Sequence, residues 1–89
     1  MSIKQTVKIF KALANIKRLE ILFYLRHTEL SVGMLEKKLK LSQSSLSQHL
    51  AVLRQAEIVS TRRLAQSIFY RLTDNNVKQI LNIFEKDTD

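Results

Sequence analysis

Eighty-nine residues are enough for one small core and leave no room for a second, so the chain reads as a single domain over 1–89. The sequence has no cysteine, which excludes disulfides, thiol catalysis and thiolate metal sites and suits a reducing, cytoplasmic setting. The net charge of +7, with 15 Lys and Arg against 8 acids, points to a polyanionic partner. No stretch of ~18 apolar residues is present to span a membrane. The opening MSIKQTVKIFKAL lacks the long apolar run and small-residue cleavage site of a secretory leader.

With no proline and a single glycine, the chain has few breaks and reads as mainly α with a small β-hairpin. Ile3, Val7, Phe10 and Leu13 or Ala14 recur at helical spacing, so a first helix is expected from near Ser2 to Ala14. Asn15 is placed to cap a second helix. In that helix Ile16, Leu19, Ile21, Leu22, Phe23 and Leu25 make nearly every face apolar, which assigns it to the centre of the core. Ser31 caps a short third helix through Val32, Leu35 and Leu39. The Lys40-Leu41 link then leaves space only for a tight turn before Ser42 caps a fourth.

The fourth helix is the most informative segment. Leu46, Leu50 and Leu53 share one face, while Ser44, Gln48, Ala51 and Gln55 occupy the opposite one, flanked by Ser45 and Ser47. That outer face has short hydrogen-bonding groups and no carboxylate. A helix that approaches base edges closely excludes acids there and gains from Gln, Ser and His. A solvated surface face is the alternative, although such faces usually carry Glu and Lys. Two short helices joined by a tight turn, the second with a polar outer side, make a helix-turn-helix.

After Gln55 the period changes. Residues 58–63 and 67–72 are rich in branched and aromatic residues and read as two strands joined by Leu64-Ala65-Gln66. They form the wing of a winged helix, with Arg62 and Arg63 beside its tip. The alternative is a solvated hairpin edge protected by charge. From Lys37 to Arg71 the cations Lys37, Lys38, Lys40, Arg54, Arg62, Arg63 and Arg71 face the single acid Glu57. Clustering of this kind is the electrostatic footprint of phosphate binding.

Asp74 caps a last helix bearing Val77, Ile80, Leu81 and Phe84 on one face. The middle helices and hairpin can complete a core without the chain ends. The apolar faces of the first and last helices are therefore expected to meet in a two-fold dimer through Ile3, Val7, Phe10, Val77, Ile80, Leu81 and Phe84. The alternative is that both helices close the monomer core.

Residues 10–15, FKALAN, followed by KRLEIL at 17–22 resemble the opening signature of the ArsR/SmtB family of bacterial repressors. ELSVG at 29–33 resembles the family's approach to the third helix, and LSQSSLSQHL at 41–50 its recognition helix. Val59 to Leu72 is similar to its wing. The Ser-Gln-His-Leu and Arg-Arg-x-x-Gln pieces are closest to the branch that includes BigR, SqrR and HlyU. The resemblance implies a dimeric winged helix-turn-helix (ααααββα) regulator that binds an inverted repeat in double-stranded DNA.

Most members of this family are sensors, and the chain departs from their patterns. Ser31 and Gly33 stand where soft-metal sensors have Cys, and Phe23 where the nearest branch has its first thiol. Asp74 matches one ligand of the zinc and nickel sensors, but Asn76 and Asp87 replace histidines, and the sequence ends before a fourth ligand position. No metal and no cofactor are expected.

The residues assigned to base edges are Gln43, Ser44, Ser47 and Gln48. Those assigned to phosphates and the wing are Ser42, Ser45, His49, Arg54, Arg62, Arg63 and Gln66. For His49 an inter-helix hydrogen bond is an equal alternative, and His27 reads as a helix-end residue. A repressor is the leading function by this reading, with an HlyU-like antirepressor or activator, a protein-binding winged helix and an RNA-binding one as alternatives. Catalysis is not expected, since no phosphate loop, acid pair or nucleophile triad is present.

Overall fold

Five helices and three strands follow one another in the computed structural model, which describes residues 2–85. They are α1 (Ile3–Leu13), α2 (Ile16–Leu25), β1 (Leu30–Ser31), α3 (Val32–Leu39), α4 (Gln43–Gln55), β2 (Val59–Leu64), β3 (Ser67–Leu72) and α5 (Asn75–Glu85). Asp87, where the zinc and nickel sensors have a histidine, lies outside the described residues.

The helix starts are set by short polar side chains. Asn15 Oδ1 accepts from the Arg18 amide at 3.1 Å, Ser31 Oγ from Met34 at 3.2 Å, Ser42 Oγ from Ser45 at 3.1 Å and Asp74 Oδ1 from Val77 at 2.9 Å. Each cap contributes about 1 kcal/mol by satisfying an amide that the helix cannot. Between α3 and α4 the chain turns through Lys40, whose left-handed φ of 54° ends α3 while its amide donates to the Glu36 carbonyl.

The wing differs from a bare hairpin. β1 adds to β3, giving a three-stranded antiparallel sheet in the order β1-β3-β2, with Leu30 opposite Tyr70 and Ser31 opposite Phe69. At the tip Leu64 pairs with Ser67, so the loop is Ala65-Gln66, and Ala65 takes a φ of 55° that glycine usually supplies. Ile58 precedes the strand and is fully buried. Its carbonyl accepts from the Thr73 and Asp74 amides, fastening the start of α5 to the base of the wing.

α2 lies at the centre. Its Ile21, Leu22 and Leu25 are buried in one cluster with Leu35 of α3, Leu46 and Leu53 of α4, and Val77 and Leu81 of α5. Val77 and Leu81, assigned above to a dimer interface, are 0 % and 1 % exposed and belong to the monomer core instead. The last helix has two apolar sides, and its inward side is spent on α2. The outward apolar residues are Ile83 and Phe84, which join Ile3, Val7 and Phe10 of α1 at the surface. Ile80 is half-buried between them. An open apolar groove of about 480 Å³ runs past Phe10, Leu19, Phe23, Ile80 and Phe84.

Arg18 connects three helices. Its Nε donates to the Ala12 carbonyl at 2.7 Å at the end of α1, and its Nη1 lies 3.4 Å from His49 Nδ1 on α4. At the other end of α2, Arg26 Nε donates to Glu85 at 2.6 Å, with His27 Nε2 at 3.4 Å from the same oxygen. His49 is pushed below the ordinary histidine range of 6.5, first by desolvation and then by the charges of Arg18 and Lys17. Because its folded pKa is depressed, its contribution to stability is complete above about 6.5 and is lost as the pH falls through and below that value. His49→Gln should therefore flatten the loss of stability between about pH 7.5 and 5.5, read by urea unfolding at each pH. An identical pH profile for wild type and variant would contradict this coupling.

Candidate nucleic-acid interface

Burial of Leu46, Leu50 and Leu53 fixes how α4 is rotated. The exposed side then carries Gln43, Ser44, Ser47, Gln48 and Gln55, with no acid among them. These residues do not present a single row. At about 100° per residue, Ser44 and Gln48 stand opposite the leucines, whereas Gln43, Ser47 and Arg54 form a ridge on one flank. That ridge borders a cleft of about 580 Å³ whose other wall is the wing, through Gln66, Ser67, Ile68 and Tyr70.

The cleft is braced across its width. Arg54 Nη1 donates to the Tyr70 hydroxyl at 2.9 Å, tying the C-terminal end of α4 to β3. Tyr70 is buried, so this bond holds the angle between helix and wing. Arg54 is thus partly occupied in positioning. Glu36 of α3 also lines the cleft and is its one acid. Neither Tyr70 nor Glu36 stood out in the sequence; strand alternation made Tyr70 legible in principle, and nothing local marked Glu36.

The opposite flank of α4 carries Ser45 and His49, both half-buried. His49 lies against Arg18, which supplies the inter-helix contact, and desolvation with the charges of Arg18 and Lys17 disfavours its protonated form. A ring whose charged form is disfavoured makes a weaker phosphate anchor than an arginine. Ser42 is exposed at the start of α4 with its hydroxyl committed to the cap.

Adjacent arginines on a strand point to opposite faces. Arg63 pairs with Ile68, on the same face as buried Tyr70 and Leu72, and this is the face turned toward α4. Arg62 pairs with Phe69 on the outer face. Its guanidinium stacks 5.0 Å from the Phe69 ring centre and reaches across the sheet to Glu29, with Nε donating at 2.9 Å and Nη2 donating to the same carboxylate. Arg62 and Arg63 therefore do not act as a pair at the tip. The bond from Arg62 holds the Glu29 carboxyl below the usual carboxylate range. Both Arg63 and Gln66 are exposed.

Among the described residues no three His, Cys, Asp or Glu side chains gather into a group that could hold a metal. Asp74, the residue that matches a metal ligand of the sensors, has its carboxylate turned to the Val77 amide as a helix cap. Phe23 lines the apolar groove between α1, α2 and α5.

Comparison with known proteins agrees with this geometry. The profile of bacterial regulatory proteins of the arsR family matches residues 15–61, from the cap of α2 into β2. The chain is 48% identical over 82 residues to the transcriptional activator HlyU of Vibrio cholerae serotype O1, covering 92% of this chain and 76% of the relative. It is 47% identical over 73 residues to the biofilm growth-associated repressor of Agrobacterium fabrum, covering 82% and 62%. The structure of reduced HlyU from Vibrio cholerae superposes with a TM-score of 0.91 at 46% identity, over 96% of this chain and 90% of that one. A homodimeric winged helix-turn-helix DNA-binding domain from Mycobacterium bovis gives a TM-score of 0.85 at 27% identity, over 97% and 80%. The chain belongs to the arsR family of bacterial regulatory proteins and is a transcriptional regulator with the winged helix-turn-helix fold.

Proposed function

We propose that the protein binds an inverted repeat in duplex DNA as a homodimer and controls transcription from that site. The observation that carries this reading is the acid-free exposed face of α4, set beside a cleft whose far wall includes Gln66, with Arg63 on the same face of the sheet. In the major groove Ser44 and Gln48 would meet base edges, with Gln43 and Ser47 alongside. Glutamine bonds adenine in a bidentate manner, and each such pair contributes ~1–3 kcal/mol of discrimination. Arg63, Gln66 and the exposed residues at the start of α4 would engage phosphates, which set register without reading sequence.

Dimer formation is supported by the exposed apolar residues of α1 and α5, among them Phe10 at 56 % and Phe84 at 58 %. A patch of this kind on adjacent helices marks an interface. The Mycobacterium bovis relative is itself homodimeric. Two recognition helices would then stand about 34–36 Å apart, one turn of DNA. Bound over a promoter, the dimer would repress by excluding polymerase. Activation is a second reading favoured by the kinship to HlyU, a transcriptional activator, and uses the same reading head. No thiol or imidazole cluster serves as a sensor in this proposal, and DNA affinity would not depend on zinc. Among the described residues no helix is long and apolar enough to cross a membrane, and the proposed place of action is the cytoplasm, at the DNA.

In gel-shift titrations against a duplex selected from a random pool, Gln48→Ala should weaken specific binding about 10- to 100-fold and leave non-specific binding unchanged. Equal loss on both would remove Gln48 from base reading. Arg63→Ala should weaken binding to every duplex and lower the salt slope by about one, while Arg62→Ala should leave the slope in place. The reverse order would return Arg62 to the phosphate surface. The double substitution Phe10→Glu with Phe84→Glu should yield a folded monomer in sedimentation equilibrium; a persistent dimer would place the interface elsewhere.

A further inference from the structure

The outer face of the sheet holds a second pocket, on the side away from the cleft. It has a volume of about 480 Å³ and lies between the end of α2, the segment leading into β1, the back of β2 and β3, and α5. Arg26, His27, Arg62, Arg71 and Lys78 line it, and Glu29 is the one acid that does. The four cations among them, Arg26, Arg62, Arg71 and Lys78, come from separate parts of the chain, so the cluster is made by the fold and not by a local run of charge.

Two of the cations are already matched. Arg26 is bonded to Glu85 at 2.6 Å, and Arg62 is clamped by Glu29. Arg71 makes one long hydrogen bond, from Nε to Ser60 Oγ at 3.3 Å, and Lys78 has no ion pair among the described residues. Neither Arg71 nor Lys78 is ion-paired among the described residues, so the concave site keeps an excess of positive charge, and field lines concentrate there and attract anions. The Glu29 carboxyl is held low first by its bond from Arg62, and Arg71 is close enough to add a smaller contribution.

We propose that this pocket binds a small phosphoryl-bearing anion, held by Arg71 and Lys78, with Arg62 joining them by exchanging the Glu29 carboxylate for the phosphoryl oxygens. A guanidinium fork matches phosphoryl oxygens in a bidentate manner, and a lysine supplies a point charge beside it. The volume falls within the ~300–1,000 Å³ range of small-molecule sites. It exceeds what inorganic phosphate fills and suits a phosphorylated small molecule. The site shares no side chain with the α4 cleft, so its failure and the failure of the DNA reading are separable.

Inorganic pyrophosphate titrated into the full chain at constant ionic strength, followed by calorimetry and backbone amide NMR, tests the assignment. Saturable binding is expected, with shifts at residues 26–29, 60–62, 71 and 78. Arg71→Gln with Lys78→Gln should weaken binding at least about tenfold, while Lys4→Gln with Lys8→Gln, which removes equal charge from α1, should not. Glu29→Gln should tighten binding severalfold by releasing Arg62, a gain that misfolding cannot imitate. Absence of saturation, equal weakening by both charge-removing pairs, or unchanged or weaker binding by Glu29→Gln would overturn the proposal. So would weakened duplex binding by the Arg71 and Lys78 substitutions with pyrophosphate binding intact, since the pocket would then belong to the DNA surface.

Discussion

Leu46, Leu50 and Leu53 are buried against α2, and that contact decides what α4 shows to the outside. Each buried leucine contributes roughly 1.5–3 kcal/mol relative to exposure. Rotating α4 by one residue, about 100°, would expose this stripe and bury glutamine and serine in its place. The polar face is consequently held in one orientation without any contact of its own. α2 serves as the common platform: α4 rests on one side of it, while α1 and α5 rest against others and present their second apolar sides outward. Arg18 ties the end of α1, through α2, to His49 on the recognition helix.

The wing is positioned by long-range contacts of a different kind. β1 contributes only two residues, yet it widens the sheet, and the residue just before it, Glu29, anchors Arg62 across Phe69. On the inner side Arg54 and Tyr70 fix the distance between α4 and β3. Helix and wing thus form one braced unit. Strand alternation then sorts the two neighbouring arginines, giving Arg63 to the face turned toward α4 and Arg62 to the pocket behind it.

Much of this was legible in the sequence because its causes are local. Asn15, Ser31, Ser42 and Asp74 signal caps within three residues of the amides they satisfy, and the leucine spacing on α4 needs no knowledge of the rest of the fold. Contacts between distant segments were not legible. A two-residue strand such as β1 has no periodicity to detect, and the partnership of Glu29 with Arg62 depends on the strand order. Val77 and Leu81 share an apolar stripe with Phe84, so spacing alone could not show that this stripe divides between core and surface. Ala65 at positive φ hid the two-residue turn because the usual glycine signal was missing. The matched sensor position Asp74 shows the same limit, since the residue type survives while its carboxylate caps α5.

In the function proposed above, α4 and the inner side of the wing together form the DNA-reading surface. Backbone amide NMR of the protein, titrated with a duplex selected from a random pool, tests it most directly. The largest shifts are expected at residues 43–48 and 63–66. Shifts confined to the exposed faces of α1 and α5, or to Arg62 and Arg71 on the outer sheet, would contradict it.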